Sequence, residues 1–465
     1  MKKSYICVII GISIFFSHKV AAEKPTALFL IGAQPNICLY SMGNIFSSVS
    51  AIDGFYNPWA LGRSVNSGVS FAQWPGFIEN SKYNFVGTIL PRFKIGTFNI
   101  SYLNYSTGEE TIEELDGTSR NVTLEEDSIL SLGWGTNISE SLFLGGSFKY
   151  LSSTLVDEYK DQKNMYDAGF IYHTLNDRHS FGISYRNFGN SLRYYKKTEP
   201  LPTELQLGYS FKTKLRPNYM LILGTNITKM LSDKIPAISA GFEFFPGVSF
   251  LSLRAGLMQK DDNSVYTIGT GINVSDLDFN AGYIISTTRP DDPALRFSVN
   301  YLFGPRDEYS VAKAYLNERG MDRKAFALWR NILPGEKNYD EAQKDLDFYG
   351  PKLFGSCYLR DDDGDGILKD GEEGNIVVTI KNLGKGQATG LQVELISKGF
   401  TNIAYIDIGK YEKSIDRIFP GEIVEVIFPV KAIRDIKDEQ IKLKINFSEE
   451  NGFAPAPLTI ILKGI

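Results

Sequence analysis

Between residues 64 and 303 the chain is a succession of short segments in which apolar and polar residues alternate. The last segment is the clearest. Leu295, Phe297, Val299, Tyr301 and Phe303 take one face, and Arg296, Ser298, Asn300 and Leu302 take the other. Successive side chains of a strand point to opposite faces, so the segment reads as a strand with one apolar and one largely polar face. The same pattern sets Leu205, Leu207, Tyr209 and Phe211 against Glu204, Gln206, Gly208, Ser210 and Lys212. It sets Leu130, Leu132 and Trp134 against Ser131, Gly133 and Gly135. Fourteen candidates follow one another at hairpin spacing: 64–73, 83–90, 97–105, 128–135, 142–155, 166–173, 180–187, 204–212, 219–228, 237–244, 251–256, 266–272, 277–285 and 295–303. In lipid every backbone polar group must be bonded internally, and a closed sheet achieves this without a free edge. The expected fold is mainly β, with a 14-stranded antiparallel transmembrane β-barrel over 64–304. The aromatic content of 13% suits the aromatic girdles of such barrels.

Compartment follows from the first residues. Lys2 and Lys3, the apolar run 6–16 and Val20-Ala21-Ala22 read as a signal peptide over 1–22. Its apolar stretch is too short to span a bilayer as a helix. Removing it takes away Lys2, Lys3 and Lys19 and no acid, so the net charge moves from −5 to −8. A mildly acidic chain gives no sign of nucleic-acid binding. Cys38 and Cys357 remain in an oxidising compartment, in what read as separate domains. The localisation implied is the outer membrane of a diderm bacterium, with outer-membrane lipid as one partner.

The connection 106–127 is long, polar and acidic, as an outward-facing barrel loop is. After Gly304-Pro305 the pattern turns helical. Ala312, Tyr315 and Leu316 make one apolar stripe, and Ala325, Leu328, Trp329 and Ile332 a second, with Gly320 between them and Pro334 after. This reads as a tetratricopeptide-like helical hairpin, or a plain linker, over 305–350. From 351 to 465 strands return without membrane character, at 375–383, 391–396, 403–408, 423–429, 441–445 and 458–462. About seven strands in this length suit a periplasmic, immunoglobulin-like sandwich.

Within that tail, Asp361, Asp363 and Asp365 stand at the first, third and fifth places of a twelve-residue loop. Gly366 follows at the sharp turn, Ile367 offers its carbonyl at the seventh place, and Glu372 can bind through both oxygens at the twelfth. A hard cation takes six to eight oxygens, and this order supplies them, so a structural calcium ion is the expected cofactor. An acidic turn rich in Asp and Gly is the alternative. Catalytic signals are weak. His173 and His179 flank a turn, and Ser180 points to the opposite face from His179, so no enzyme is expected. Arg186, Glu204, Gln206, Lys212, Asp278, Asn280 and Arg296 fall on the presumed lumen face.

The segment 23–63 carries a family likeness. Phe29-Leu30-Ile31-Gly32-Ala33, Ser41-Met42-Gly43 and Tyr56-Asn57-Pro58 resemble the N-terminal signature of the PorV/PorQ group, which is related to the FadL-type outer-membrane transporters. Residues 201–208, 252–256 and 296–304 extend the match. The resemblance implies fourteen strands and an N-terminal hatch inside them, with Met42, Gly43, Asn57 and Pro58 as hatch residues. The chain departs from the pattern at Trp59, where the family has alanine, and at Asn44-Ile45, where it has Gly-Ala. The tail also resembles the adhesion-type sandwiches called CARDB. The function so implied is passage of hydrophobic, fatty-acid-like small molecules. The alternatives are an accessory or shuttle barrel working with type IX secretion proteins, and a structural barrel that anchors a periplasmic binding domain.

Overall fold

The computed structural model describes residues 30, 33–45, 54–76, 80–113, 118–194, 197–248, 250–261, 263–287, 289–305, 307–397, 406–408, 411–433 and 440–463. The signal-peptide reading over 1–22, and Phe29, Ile31 and Gly32 of the hatch signature, lie outside these residues. The chain divides into two compact units, 1–307 and 308–465.

In the first unit, helix α1 (Ile37–Tyr40) and a 3-10 turn (Pro58–Gly62) precede the strands. These are β1 (Ser67–Pro75), β2 (Lys82–Ile89), β3 (Thr97–Ser106), β4 (Glu109–Glu113), β5 (Ser119–Thr123), β6 (Glu125–Asn137), β7 (Leu142–Leu155), β8 (Tyr159–His173) and β9 (His179–Gly189). There follow β10 (Leu192–Tyr194), β11 (Lys197–Glu199), β12 (Glu204–Arg216), β13 (Tyr219–Met230), β14 (Ala237–Pro246), β15 (Leu251–Lys260), β16 (Asn263–Val274), β17 (Leu277–Ser286) and β18 (Arg289–Phe303). Fourteen of them close an antiparallel barrel, sealed where β18 pairs with β1 from Ser67 against Phe303 to Gln73 against Phe297. Each of the fourteen alternating segments contains or overlaps one barrel strand. Several strands run further than the apolar alternation. β8 begins at Tyr159, not near 166, because the ladder continues through Lys160, Asp161 and Gln162 beyond the apolar band.

The faces sort as the alternation requires. Leu295, Phe297, Tyr301 and Phe303 point outward and exposed, as do Leu130, Leu132, Leu207, Ile268 and Phe279. An even strand number leaves Ser67 and Phe303 on one rim, with two-residue turns at 217–218 and 275–276. The long connections, 107–124 and 190–203, share the opposite rim. Neither is a plain loop. The first folds as the hairpin β4–β5, where Thr111 donates to Asn121 at 2.8 Å and Val122 is buried. The second carries the hairpin β10–β11.

The second unit begins with α2 (Glu308–Arg319), α3 (Asp322–Asn331) and α4 (Tyr339–Tyr349). There are three helices, not a two-helix hairpin. Ala312 and Tyr315 are buried as the stripe predicts, with Ala314 in place of half-buried Leu316. Gly320, at φ +60°, makes the break between α2 and α3. Eight strands follow: β19 (Leu353–Asp361), β20 (Glu373–Asn382), β21 (Ala388–Ser397), β22 (Ile406–Ile408), β23 (Glu412–Ile418), β24 (Ile423–Ala432), β25 (Gln440–Ser448) and β26 (Leu458–Lys463). They form two four-stranded sheets, β19-β20-β24-β22 and β23-β21-β25-β26. Ile376, Val378, Ile380 and Phe428 of one sheet close a core with Leu391, Val393, Leu443 and Ile445 of the other. The helices belong to this unit and do not stand apart as a 305–350 linker. Phe326 meets Phe453 edge-on at 5.5 Å, and the Arg330 guanidinium lies 4.1 Å from the same ring. Three short helices cannot bury their own apolar faces alone, and Phe326 and Arg330 find cover on Phe453 of the same unit.

Candidate functional site

The hatch lies against the inner wall of the barrel, and the wall makes room for it with glycine. On one side Met42 and Gly43 press on β14 and β15. A Cβ at Gly241 would stand 2.2 Å from the Met42 carbonyl oxygen, and one at Gly256 would stand 2.0 Å from the Gly43 nitrogen. Thr267 completes this contact. Its hydroxyl accepts from the Gly43 N–H at 3.1 Å and donates to the Ser41 carbonyl at 2.9 Å. Gly43 itself has φ +76°, a conformation that favours glycine. On the other side the 3-10 turn opens with Asn57, whose carbonyl accepts from the Ala60 N–H at 2.9 Å. The Pro58 carbonyl approaches so closely that a Cβ at Gly135 would stand 2.3 Å away. Met42, Gly43 and Pro58 thus lie against wall glycines, and Asn57 opens the turn that carries Pro58.

The two departures from the family signature are each met by the wall. Trp59 is fully buried, and its ring occupies the space a Cβ of Gly169 would need, at 2.7 Å. Ile45 lies in the same way over Gly224, at 2.8 Å. The alternation of Gly133 and Gly135 with Leu132 and Trp134 was visible in the sequence. That inward glycines mark a docked segment was not drawn from it.

Charged side chains on the lumen face also hold the hatch, by lying against its aromatic rings. Arg186 lies 3.4 Å from the Tyr56 ring centroid and 3.1 Å from Glu204. Lys149 is buried between Asp167, at 2.6 Å, and the Phe55 ring, at 4.6 Å. Arg296 lies 4.0 Å from the Tyr40 ring and 5.1 Å from that of Trp74. Of these, Arg186, Glu204 and Arg296 were assigned to the lumen from sequence; Lys149 and Asp167 were not.

The lumen differs on the two sides of the hatch. Towards the long-connection rim, Trp74, Tyr83, Phe85, Leu103, Tyr105, Ile129 and Met165 form an apolar cluster with Leu30, Phe55 and Tyr56 of the hatch. Towards the rim that holds the strand termini is a polar cavity of about 320 Å³. Arg254 there bonds Glu243 at 2.8 Å and Asn280 at 2.9 Å. His173 and Ser180 also line it, with Nδ1 and Oγ 2.5 Å apart across the β8–β9 turn. Sequence reasoning weighed Ser180 only against His179, whose ring faces the Tyr209 hydroxyl instead, at 2.9 Å. Asp177 is held by Arg63 at 2.7 Å. Cys38 and Cys357 form no disulfide.

The acidic loop of the second unit joins β19 to β20. Carboxylate oxygens of Asp361, Asp363 and Glu372 lie within 4.8 Å of one another. The turn is closed by hydrogen bonds of its own. Asp361 accepts from the Gly366 N–H at 2.6 Å and from Ile367 at 3.2 Å, and Gly366 sits at φ +80°. Asp365 is turned aside. Lys369 reaches across to Asp363 at 2.5 Å and to Asp365 at 2.7 Å. Those hydrogen bonds push the Lys369 ammonium up and, from the other end, hold the Asp365 carboxyl below the usual range.

No family model matches the chain, and no curated protein matches its sequence. Among solved structures, the chain is similar to the toluene transporter TodX of Pseudomonas putida (TM-score 0.43, 11% identity, 60% of this chain and 100% of that one). It is also similar to the CymD monoaromatic hydrocarbon channel (TM-score 0.40, 12% identity, 60% and 100%). A third is a FadL homologue of Pseudomonas aeruginosa (TM-score 0.40, 9% identity, 61% and 99%). At these scores the barrel stands on its own strand pairing.

Proposed function

We propose that the first unit is an outer-membrane barrel that passes hydrophobic small molecules, with the hatch as its gate. The observation that carries this is the seam. A segment seated by close backbone contacts inside a closed barrel blocks the lumen, and no covalent link prevents it from shifting. The apolar cluster on one side of the hatch would supply an aromatic lining for a passing molecule once the hatch shifts. The second unit then lies in the periplasm, because it follows the rim with short turns, the periplasmic rim in such barrels. Uptake of labelled lipophiles by a deletion strain is the test, and loss of uptake is expected. Normal uptake together with failed export of surface proteins would favour the secretion alternative.

We also propose that Asp361, Asp363, Asp365, the Ile367 carbonyl and Glu372 hold one structural calcium ion. Three of the four carboxylates already converge, and Asp365 joins them once Lys369 lets go. Calorimetric titration of the full chain with calcium should give a saturable heat that Asp361→Asn abolishes. Absence of any heat at millimolar calcium leaves an acidic turn neutralised by Lys369.

A further inference from the structure

One end of the sandwich in the second unit is an exposed apolar tip. Among the described residues of that unit, nine large apolar side chains are exposed, and five of them gather at this end, so the exposure is concentrated. They are Phe348, Phe354, Leu383, Phe419 and Ile423, each more than half exposed. Asn382 ties together the connections around them. Its side chain accepts from the Lys352 N–H at 3.2 Å and from the Gly384 N–H at 3.0 Å. It donates to the Gly386 carbonyl at 2.8 Å and to the Ile418 carbonyl at 3.1 Å. The Gly421 N–H donates in turn to the Asn382 carbonyl at 2.8 Å. The α4–β19, β20–β21 and β23–β24 connections therefore meet at one place. One residue in from it, Phe354 and Ile423 flank Lys381 on the adjoining strands.

Single apolar residues are ordinary on a surface, whereas a cluster of this kind marks a contact. The charge around it says with what. Lys352, Lys381 and Lys385 are exposed at the same end, and no ion pair joins them to a described acid. Lys385 lies instead 3.7 Å from the centroid of the Phe348 ring. The nearby Glu422 is turned to its own loop, where it accepts from the Phe419 N–H at 2.7 Å. Apolar side chains ringed by lysines suit a bilayer surface with anionic headgroups. Rings and alkyl groups enter the acyl boundary, and the ammonium groups stay among the phosphates. A second copy of the same tip is a poorer fit, because it would set lysines against lysines. The chain also keeps the tip near a bilayer. Strand β18 ends at Phe303 and α2 begins at Glu308, so the connection reaches at most roughly 18 Å. A surface tethered on so short a link binds at high effective concentration.

We propose that this tip docks on anionic phospholipid in the periplasmic leaflet of the outer membrane. The proposal rests on the reading of the first unit as a membrane barrel and of the second as periplasmic. The experiment uses the full chain, with its native cysteines replaced by serine, in phosphatidylcholine vesicles that contain spin-labelled lipid, with or without phosphatidylglycerol. Leu383→Cys reports the tip, Ile433→Cys the far end of β24 and Phe297→Cys the barrel wall, each carrying a fluorophore. Ile433 is as exposed as Leu383, at 51% against 54%, so the two differ in place and not in exposure. With phosphatidylglycerol present, lipid quenching at position 383 should be at least fivefold that at 433. Each lysine near an anionic surface strengthens binding roughly fivefold, so quenching at 383 should fall towards that at 433 in phosphatidylcholine alone. The triple variant Lys352→Gln, Lys381→Gln, Lys385→Gln should lose the dependence on phosphatidylglycerol. The comparison between lipids needs no lysine variant and does not depend on how one folds. Equal quenching at 383 and 433 overturns the proposal, and so does tip quenching that ignores phosphatidylglycerol. Quenching at 297 but not at 383 overturns it and leaves the barrel standing, whereas no quenching at any of the three sites overturns the membrane reading as well. Protection of position 383 from aqueous iodide without lipid quenching means that protein covers the tip, which also overturns it.

Discussion

The barrel and the sandwich are written in the same period-two alphabet and bury opposite faces. In β18, Phe297 and Phe303 point outward and are about half exposed, at 54% and 49%. In β20, Ile376, Val378 and Ile380 point inward and are fully buried. The strands of the sandwich hide their apolar face against a second sheet. Those of the barrel turn it towards lipid, and reserve the inner face for glycine, polar groups and the hatch. Alternation alone therefore marks a strand; its partner decides which face is the core.

Truncating a large apolar side chain should break this symmetry most strongly. Phe428→Ala, in the sandwich core, should cost about 3–5 kcal/mol. Phe297→Ala, on the outer wall, should cost far less, since lipid tails refill the space and are themselves apolar. Denaturant titration of the two variants, read by near-ultraviolet circular dichroism, makes the comparison. Equal losses would mean that Phe297 packs against protein.

Introducing charge should reverse the order of tolerance between faces. Leu132→Arg, on the outer wall, should destabilise the barrel by about 2–4 kcal/mol if it lies near the bilayer midplane. Glu425→Arg, on an exposed face of the sandwich, should fall within about 0.5 kcal/mol of the parent. Refolding into bilayers is the measurement for the first and thermal unfolding for the second.

The hatch seam predicts an effect of intermediate size. Gly256→Ala places a methyl group 2.0 Å from the Gly43 nitrogen, and overpacking of this kind costs about 1–3 kcal/mol. The hatch must move, so single-channel conductance should rise in planar bilayers. The same substitution at Gly421, where a Cβ meets nothing within 4 Å, should leave conductance unchanged.

The smallest effect concerns pH in the acidic loop. Lys369 depresses the folded pKa of Asp365, so their pairing contributes stability above the unfolded carboxylate pKa and loses it as pH falls through the folded value. The pair is exposed, so the change in unfolding midpoint between pH 7 and pH 3 should be slight and should shrink in high salt. Lys369→Met should remove it, and a salt-independent shift would point elsewhere.

Much of this architecture was legible in the sequence because it depends on local period. Fourteen alternating segments gave fourteen barrel strands, and the inward positions of Arg186, Gln206, Asn280 and Arg296 followed from parity alone. The spacing of Asp361, Asp363 and Glu372 was also legible, because a twelve-residue turn brings its own ends together. The hairpins β4–β5 and β10–β11 escaped notice because polar strands above the apolar band carry no hydrophobic alternation. Strand β23 did so for the same reason, since Glu412–Ile418 is mostly charged.

Only the tertiary structure decided what meets across the lumen. Gly256 and Gly43 are more than two hundred residues apart, as are Thr267 and Ser41, and no spacing rule links them. The pairing of His173 with Ser180 and the stacking of Trp74 on Tyr83 and of Tyr83 on Tyr105 arise when the sheet closes and brings neighbouring strands into register. Sequence period sets which way a side chain points, because it is a property of one strand's backbone. Which groups it then faces depends on register, closure and the hatch within, and those are set by long-range packing that no single segment contains.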